Sequence, residues 1–254
     1  QGGDPENVFY HIQPHESAWL RDNGPVWIED NGQMIIQDLR FDGWGGLEND
    51  YDDDDLMPCN MADWLGFPCE SYNIIMERGN LEFNGSGTLI TNWDCWIDRN
   101  PPLNQEILED MLLDMYNLDQ VIWTYGHSPY DVTTGHIDGV ARFIDENTVA
   151  VSRTLDQNDP DAWIGDSAAV VIGEAGFDVV FIDMPGYVTY YNWELPAIYV
   201  NWLVGNDAVI GNAYGVDSWD NTAREQIQAL YPTRDVILIE TFEVNLSGGG
   251  VHCI

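Results

Sequence analysis

The sequence predicts an α/β fold in which one unit of strand, strand, helix and strand is used four times. Tight-turn signals between apolar, β-rich runs are centred at residues 31, 84, 145 and 205, so they recur every 53 to 61 residues. A helical stretch follows each of these hairpins, and a short apolar strand follows each helix. Such units cannot bury their apolar faces alone, so we expect them to pack against one another in an open array or a closed ring.

A hairpin opens each unit. Its two strands are apolar and rich in β-branched and aromatic residues, and the residues between them favour a tight turn. The predicted hairpins are Val26–Ile36 around Asn31-Gly32, Leu81–Thr91 around Asn84-Gly85, Val140–Val151 around Asp145-Glu146 and Tyr199–Ile210 around Gly205-Asn206.

A helix and a third strand complete each unit. The tail Glu240–Ile254 is expected to begin a fifth hairpin and then stop, and only about 20 residues precede the first unit. A ring of five units would therefore lack most of one unit here. The predicted helices are Pro58–Gly66, Leu103–Asn117, Pro160–Gly176 and Asn221–Leu230, and the strands that follow them are Asn73–Met76, Val121–Trp123, Val179–Ile182 and Val236–Ile239.

The composition is strongly acidic. Of 254 residues, 44 are Asp or Glu and 8 are basic, all of them arginine, so the net charge is -36. Nucleic acid and anionic membranes are excluded as partners, because binding phosphates requires a basic surface. The hydrophobic content of 44% predicts a large core, and no apolar run approaches the roughly 18 residues of a membrane-spanning helix. The excess of negative charge is more typical of high solubility or of adaptation to high salt than of a surface that attracts cationic substrates.

Several polar features have unremarkable interpretations. The acidic run Asp52–Asp55 is expected to be a solvated loop, because the spaced ligands and glycine of a calcium loop are missing. His11 and His15 are expected in a solvated loop rather than at a metal. The four cysteines (Cys59, Cys69, Cys95 and Cys253) match no zinc pattern, and pairing of Cys59 with Cys69 is left open, conditional on secretion.

Chemically active residues recur where each unit's first strand begins. Equivalent points of a repeat meet near its axis, so these residues are expected to converge. A thiolate needs a base or a positive neighbour, a histidine needs a carboxylate to fix its tautomer, and spare carboxylates suit a planar guanidinium. The set comprises Asp22, Glu77, His136, Asp138, Asn201 and, in the tail, Cys253.

Taken singly, each member has a structural interpretation. Arg21 and Asp22 can form a plain ion pair. His136 and Asp138, two apart on a strand, share a face and can be a structural pair or half of a metal site. Cys253 beside three glycines can be a small buried residue at a turn, and His252 is expected to point the opposite way from it and to have another role.

Seven segments resemble the family of agmatine deiminases and bacterial, Porphyromonas-type peptidyl-arginine deiminases. The resemblance runs in the family's order across nearly the whole chain, and it implies a pentein fold: an α/β propeller of ββαβ units around a pseudo-fivefold axis, here lacking most of the first unit. Residues 1–254 would then be one catalytic domain, incomplete at both ends. The segments are Trp19–Pro25 (WLRDNGP), Phe41–Gly46 (FDGWGG), Glu77–Thr88 (ERGNLEFNGSGT), Arg99–Pro101 (RNP), Thr134–Phe143 (TGHIDGVARF), Tyr199–Asn206 (YVNWLVGN) and Gly248–Ile254 (GGGVHCI).

The resemblance also implies roles. Cys253 is the expected nucleophile, His136 the general acid and base, and Glu77 the carboxylate that supports His136. Asp22 and Asp138 are expected to grip the guanidinium nitrogens. Trp19 is expected to line the substrate channel, and Asn201 is expected to hold the backbone of the site in position. No metal or organic cofactor is implied, and the implied partner is a small cationic guanidine.

Besides the incomplete ends, one departure from the family bears on activity, and a further segment bears on the substrate. Arg78 replaces the first glycine of a Glu-Gly-Gly run, which leaves the geometry of Glu77 in doubt. Leu39–Gly45 replaces the Arg-Pro-Arg segment of the peptidyl-arginine enzymes and is closer to the Phe-Asn-x-Trp-Gly of the agmatine enzymes. The resemblance therefore favours agmatine and putrescine biosynthesis, with peptidyl-arginine as the alternative.

Two other classes stay open: a non-catalytic repeat protein, and a cysteine peptidase or amidase. The extra carboxylates argue against a peptidase, because they would oppose a developing oxyanion. A zinc hydrolase would need more histidine ligands than the spacing offers. A cytoplasmic location is favoured over a secreted one, and a homo-oligomer is left open.

Overall fold

Four three-stranded sheets of identical order form the frame of the molecule in the computed structural model, which describes residue 6 and residues 8–156 and 158–254. In each sheet an antiparallel hairpin supplies the first two strands, and the third strand lies parallel to the second. The sheets are β1 (Val26–Asp30), β2 (Gln33–Arg40) and β3 (Cys69–Ile75); β4 (Glu82–Phe83), β5 (Thr88–Asn92) and β6 (Gln120–Thr124); β7 (Ala141–Phe143), β8 (Thr148–Thr154) and β9 (Asp178–Met184); β12 (Leu203–Val204), β13 (Ala208–Ala213) and β14 (Asp235–Glu240).

Helices connect the second and third strands of each sheet, because a parallel pairing needs a crossover connection. A separate two-stranded sheet, β10 (Tyr187–Tyr190) with β11 (Trp193–Pro196), lies between the third and fourth units. The helices are α1 (Leu20–Asn23), α2 (Gly43–Gly46), α3 (Asp52–Asp55), α4 (Met57–Leu65), α5 (Trp93–Arg99), α6 (Gln105–Tyr116), α7 (Ala162–Glu174), α8 (Asp217–Leu230) and α9 (Phe242–Leu246).

The predicted repeat is confirmed in all four units, and each predicted hairpin, helix and third strand has a counterpart. The bounds shift by a few residues; α8, for example, begins at Asp217 rather than Asn221. In the first hairpin both turn residues have positive φ, Asn31 at 51° and Gly32 at 81°, which is the backbone that a two-residue hairpin requires.

Two predictions about local structure are wrong. The tail Glu240–Ile254 does not begin a hairpin: after β14 it forms α9 and the 3₁₀ turn Val251–Cys253. The run Asp52–Asp55 is a helical turn rather than a solvated loop. Asp54 is buried because it accepts hydrogen bonds from the backbone N–H groups of Glu16 and Ser17, so it ties the preceding segment to the first unit. His11 and His15 are exposed, as expected, and His11 stacks on Trp64.

The units pack against one another through shared cores. One buried cluster joins Leu39 of the first unit to Leu89 and Trp96 of the second. A second joins residues of the second and third units, among them Ile90 and Ile172. A third joins the third and fourth units and includes the fully buried Trp202. No unit buries its apolar surface alone, which agrees with the expectation for a repeat architecture.

A buried ion pair reinforces this packing. Arg142 of β7 donates from Nε to Glu82 of β4 at 2.9 Å and from a terminal nitrogen to the carbonyl oxygen of Trp202 at 2.6 Å. Three units are therefore joined close to the points where their first strands begin.

A disulfide joins Cys59 of α4 to Cys69 of β3, which resolves the pairing that the sequence left open. No helix in the described part of the chain is long and apolar enough to cross a membrane.

The turn of the first hairpin can be tested with a matched pair of glycine substitutions. Gly32→Ala should lower the free energy of unfolding by about 1 kcal/mol, because the added Cβ has room but alanine disfavours the positive φ. Gly173→Ala, which also has room but lies within α7, should raise it by about 0.5–1 kcal/mol. Urea unfolding measures both, and equal effects of the two changes would contradict this account of the turn.

Candidate active site

The residues predicted to converge are brought together by short, irregular segments at the start of each unit. Asp22 lies in α1 directly before β1, and Glu77 precedes the 3₁₀ turn that leads into β4. His136 and Asp138 occur at the 3₁₀ turn before β7, Asn201 precedes β12, and Cys253 ends the 3₁₀ turn of the tail. His136 and Asp138 are therefore not on a strand, and they contact different partners.

His136 lies between two carboxylates. Its Nδ1 is 3.5 Å from an oxygen of Asp22, and its Nε2 is 3.3 Å from an oxygen of Glu77. All three side chains are buried. Gly79 makes this close approach geometrically feasible, because a Cβ at that position would collide with the imidazole of His136 and with Asp22.

Glu77 is held by an arginine. Arg99, the last residue of α5, donates from Nε to the other oxygen of Glu77 at 2.7 Å, and both side chains are fully buried. The other nitrogens of Arg99 donate to the carbonyl of Thr133 and to Asp98. Arg99 belongs to the matched segment Arg99–Pro101, but the sequence alone did not indicate a role for it.

The arginine that replaces the family's glycine leaves Glu77 in contact with His136. The guanidinium of Arg78 is buried and donates to the backbone carbonyls of Leu39, Asp22 and Met76 at 2.8, 3.2 and 3.2 Å. It therefore braces the backbone that carries Asp22.

Asp138 contacts the tail. One of its oxygens lies 2.8 Å from Nδ1 of His252 and 3.7 Å from Sγ of Cys253. The expectation that His252 points away from Cys253 is wrong, because the tail is a 3₁₀ turn and not a strand. Neighbouring side chains in a 3₁₀ helix differ by about a third of a turn, so both can face one site.

Asn201 holds the tail in place. Its amide oxygen accepts a hydrogen bond from the backbone N–H of His252 at 3.0 Å, and its amide nitrogen lies 3.5 Å from Sγ of Cys253. The backbone N–H of Gly250 also approaches this sulfur, at 3.4 Å. The predicted contact between Asn201 and the backbone of the site is thus present.

Two tryptophans border the acidic residues. Trp44 donates from its indole nitrogen to Asp22 at 2.9 Å and adopts the left-handed conformation, with φ at 57°. It was missed as a single residue, although it occurs in the matched segment FDGWGG. Trp19 packs against Gly249, where its ring leaves no room for a Cβ.

Burial and charge move the pKa values of these groups in different directions. Burial raises the pKa of Asp22 to about 6, although the nearby His136 opposes the shift. Burial would also raise the pKa of Glu77, but hydrogen bonding and charge from His136 and Arg99 lower it to about 2. Burial would lower the pKa of His136, but the charge of Asp22 and hydrogen bonds to Cys95 and Glu77 raise it well above its usual value.

The thiol of Cys253 is hard to ionise in the free protein. Its pKa lies well above the usual value because of burial and the charges of Asp138 and Asp22. A cation placed between the thiol and these carboxylates would reverse both electrostatic effects. Cys95, the other free cysteine, is fully buried, and burial together with the charge of Glu77 raises its pKa to about 12.

Two groups of donor side chains in the described residues are close enough to share a metal ion: Asp38 with Cys59 and Cys69, and Glu77 with Cys95 and His136. The sulfurs of the first group are joined in the disulfide. In the second group Glu77 is already paired with Arg99, so a metal ion would compete with a guanidinium for the carboxylate. The second group is better described as the support of His136.

Comparison with known proteins adds to this geometry. The sequence model of the Porphyromonas-type peptidyl-arginine deiminases matches residues 6–254. A protein of Enterococcus faecalis, provisionally named an agmatine deiminase, is 31% identical over 285 residues, which cover 98% of this chain and 76% of the relative.

Solved structures agree. A C. jejuni agmatine deiminase with substrate bound, in which a cysteine is replaced by serine, superimposes with a TM-score of 0.90 at 27% identity and covers 98% of this chain and 76% of that one. The agmatine deiminase of Enterococcus faecalis superimposes with a TM-score of 0.87 at 29% identity, and the match covers 95% of this chain and 74% of that one. A dimethylarginine dimethylaminohydrolase shares the fold alone, with a TM-score of 0.54 at 15% identity over 92% of this chain and 75% of that one. The α/β pentein fold is thus confirmed.

The electrostatic coupling between Asp138 and Cys253 can be tested on the free protein. Asp138→Asn removes a negative charge 3.7 Å from the sulfur, so it should lower the thiol pKa and speed alkylation of Cys253 by iodoacetamide at pH 8 by about tenfold. Mass spectrometry of the labelled peptide measures the rate. Asp207→Asn, at an exposed position, is the matched control and should leave the rate unchanged. An unchanged or slower rate in Asp138→Asn would contradict the coupling.

Proposed function

The chain belongs to the Porphyromonas-type peptidyl-arginine deiminase family and is a hydrolase of guanidino C–N bonds, and on that premise we propose that it is an agmatine deiminase. It would convert agmatine and water into N-carbamoylputrescine and ammonia, a step toward putrescine. The observation that carries the proposal is the pair Asp22 and Asp138. Both carboxylates are buried beside a thiol, and neither has an arginine partner within 4.0 Å among the described residues.

Substrate binding supplies the charge that the site lacks. A guanidinium held by Asp22 and Asp138 pairs with both carboxylates through its N–H groups, which is the planar arrangement that carboxylates bind best. Its positive charge offsets the two negative charges that keep Cys253 protonated, so binding lowers the thiol pKa at the moment when a nucleophile is needed. The free enzyme thereby avoids an unpaired thiolate.

Cleavage of the C–N bond follows from the roles of Cys253 and His136. With the guanidinium bound, the thiol of Cys253 releases its proton to solvent, and the thiolate attacks the guanidinium carbon and forms a C–S bond. His136, whose environment favours the protonated ring, donates a proton to the departing nitrogen. Ammonia leaves and an S-alkylthiouronium remains on Cys253. The now neutral His136 takes a proton from water, which attacks the same carbon. The C–S bond breaks, the hydroxyl of the adduct becomes the carbonyl of the ureido product, and the proton that it loses returns to the sulfur.

Glu77 and Arg99 support the proton transfers. Glu77 contacts His136 through one oxygen and Arg99 through the other, so the carboxylate stays ionised while the imidazole changes charge. Trp44 and the N–H of Gly79 orient Asp22 toward the same imidazole. We assign Trp19 to the wall of the site and Asn201 to the support of the tail.

Two observations support agmatine over peptidyl-arginine. The segment Leu39–Gly45 resembles that of the agmatine enzymes and supplies Trp44 to Asp22. Agmatine carries a second cation and no carboxylate, which suits a chain of net charge -36. The match to the peptidyl-arginine family favours the alternative, conversion of arginine in peptides to citrulline.

A non-catalytic protein of the same fold is the second alternative, and the full set of titratable groups around Cys253 argues against it. We further propose that the four units form one catalytic domain arranged around a common axis.

Measurement of ureido product from agmatine, free arginine and an arginine-ending peptide tests these proposals. We expect product from agmatine in high-salt buffer and a loss of at least 1,000-fold in Cys253→Ala, because the nucleophile is removed. Thermal unfolding of the variant checks that it is folded. Product only from the peptide would overturn the assignment of agmatine as the substrate. Activity of Cys253→Ala equal to that of the wild type would overturn the role of Cys253 as nucleophile.

A further inference from the structure

His252 is a second buried histidine in the site, and the reaction described above does not use it. Its Nδ1 lies 2.8 Å from the Asp138 oxygen that Cys253 approaches at 3.7 Å. The side chain is only 8% exposed. A carboxylate oxygen can only accept a hydrogen bond, so the proton of this contact belongs to Nδ1 of His252.

The backbone of His252 is fixed from two sides. Its N–H donates to the amide oxygen of Asn201 at 3.0 Å, and its carbonyl oxygen accepts a hydrogen bond from Nε of Arg21 at 3.1 Å. The ring therefore has little freedom to turn away from Asp138. Arg21 therefore binds the backbone of the tail. The sequence suggested only a simple ion pair between Arg21 and Asp22, which does not account for this contact.

Three charged groups act on His252: Asp138 before β7, Arg142 on β7 and Arg21 on α1. The adjacent thiol of Cys253 is titratable but neutral in the free protein. Burial and the charge of Arg142 lower the pKa of His252 to about 4, although the hydrogen bond to Asp138 opposes the shift. The ring is therefore neutral near pH 7. Asp138 nevertheless keeps a pKa of about 2, because hydrogen bonding and charge overcome the effect of burial.

A neutral donor has a particular advantage beside a cationic substrate. A lysine, an arginine or a protonated histidine at this position would cancel the charge of Asp138 and repel the guanidinium. A neutral N–H orients the carboxylate and leaves it a full negative charge. His136, flanked by Asp22 and Glu77, is held in the opposite state. Two histidines whose pKa values are pushed apart have different tasks in one site.

We propose that His252 is a positioning residue of the deimination reaction: through a neutral N–H donated from Nδ1, it aims the Asp138 carboxylate at the guanidinium and preserves its charge. This inference rests on the proposed function. It adds a residue that acts through Asp138 on substrate binding and does not itself exchange protons with the substrate.

Asparagine and leucine at position 252 separate the donated hydrogen bond from the volume of the side chain. The amide nitrogen of asparagine can occupy the place of Nδ1, and leucine has nearly the same shape without a donor. In His252→Leu we expect KM for agmatine to rise so that kcat/KM falls about 10- to 100-fold, with a smaller change in kcat, because the lost hydrogen bond serves binding. His252→Asn should restore KM to within about threefold of wild type.

Several outcomes would overturn the proposal. Equal losses in His252→Leu and His252→Asn would make the role one of packing, and a wild-type KM in His252→Leu would exclude the proposed role. A ¹H–¹⁵N correlation spectrum of the wild-type protein provides a readout that does not depend on the variants folding. It should show the neutral Nδ1–H form at pH 7, and a doubly protonated ring would contradict the proposal. A wild-type protein inactive on every guanidine would instead overturn the proposed function, and this inference with it.

Discussion

Buried negative charge is the constraint on which the rest of this structure depends. Asp22, Glu77 and Asp138 are carboxylates removed from water within one site. An isolated buried charge is destabilising by several kcal/mol unless partners compensate for it. Among the described residues, Glu77 alone of the three has a permanent cation, Arg99, whereas the partners of Asp22 and Asp138 are neutral donors and histidines. The folded protein therefore has a region of negative potential that a bound planar cation would neutralise. The same negative potential keeps the nucleophilic thiol protonated until the cation binds.

The architecture makes such a site feasible because the packed sheets fix the positions of the units, while the segments that precede the sheets carry the residues of the site. Each of the three core clusters spans two successive units, so the relative placement of the units is set by close-packed side chains. The residues of the site are carried by short turns at the starts of the first strands, anchored by contacts such as those of Arg78, Arg142 and Asn201. A rigid frame with variable connecting segments is a general way to position chemistry.

Local rules predicted the repeat from the sequence because turn residues, strand patterns and helical stripes act over a few neighbours. The same rules could not predict the tail, where the repeat indicated a fifth hairpin but helix α9 and a 3₁₀ turn formed. The helix α5 was missed because its seven residues, bounded by Asn92 and Asn100, carry no extended apolar stripe. For the site, the resemblance identified residues with reactive groups, and the geometry shows that they converge. Arg99, Trp44 and His252 were missed as partners because their importance lies in contacts with residues 22 to 114 positions away, which no local pattern records.

Attachment of the guanidinium carbon to the sulfur of Cys253 is the step that defines the proposed reaction. Acid quenching of the protein during turnover of agmatine, followed by peptide mass spectrometry, tests it most directly. The peptide containing Cys253 should gain the mass of agmatine less ammonia, and the adduct should disappear as substrate is exhausted. Turnover with no adduct under any quench time, or an adduct on Cys95, would contradict it.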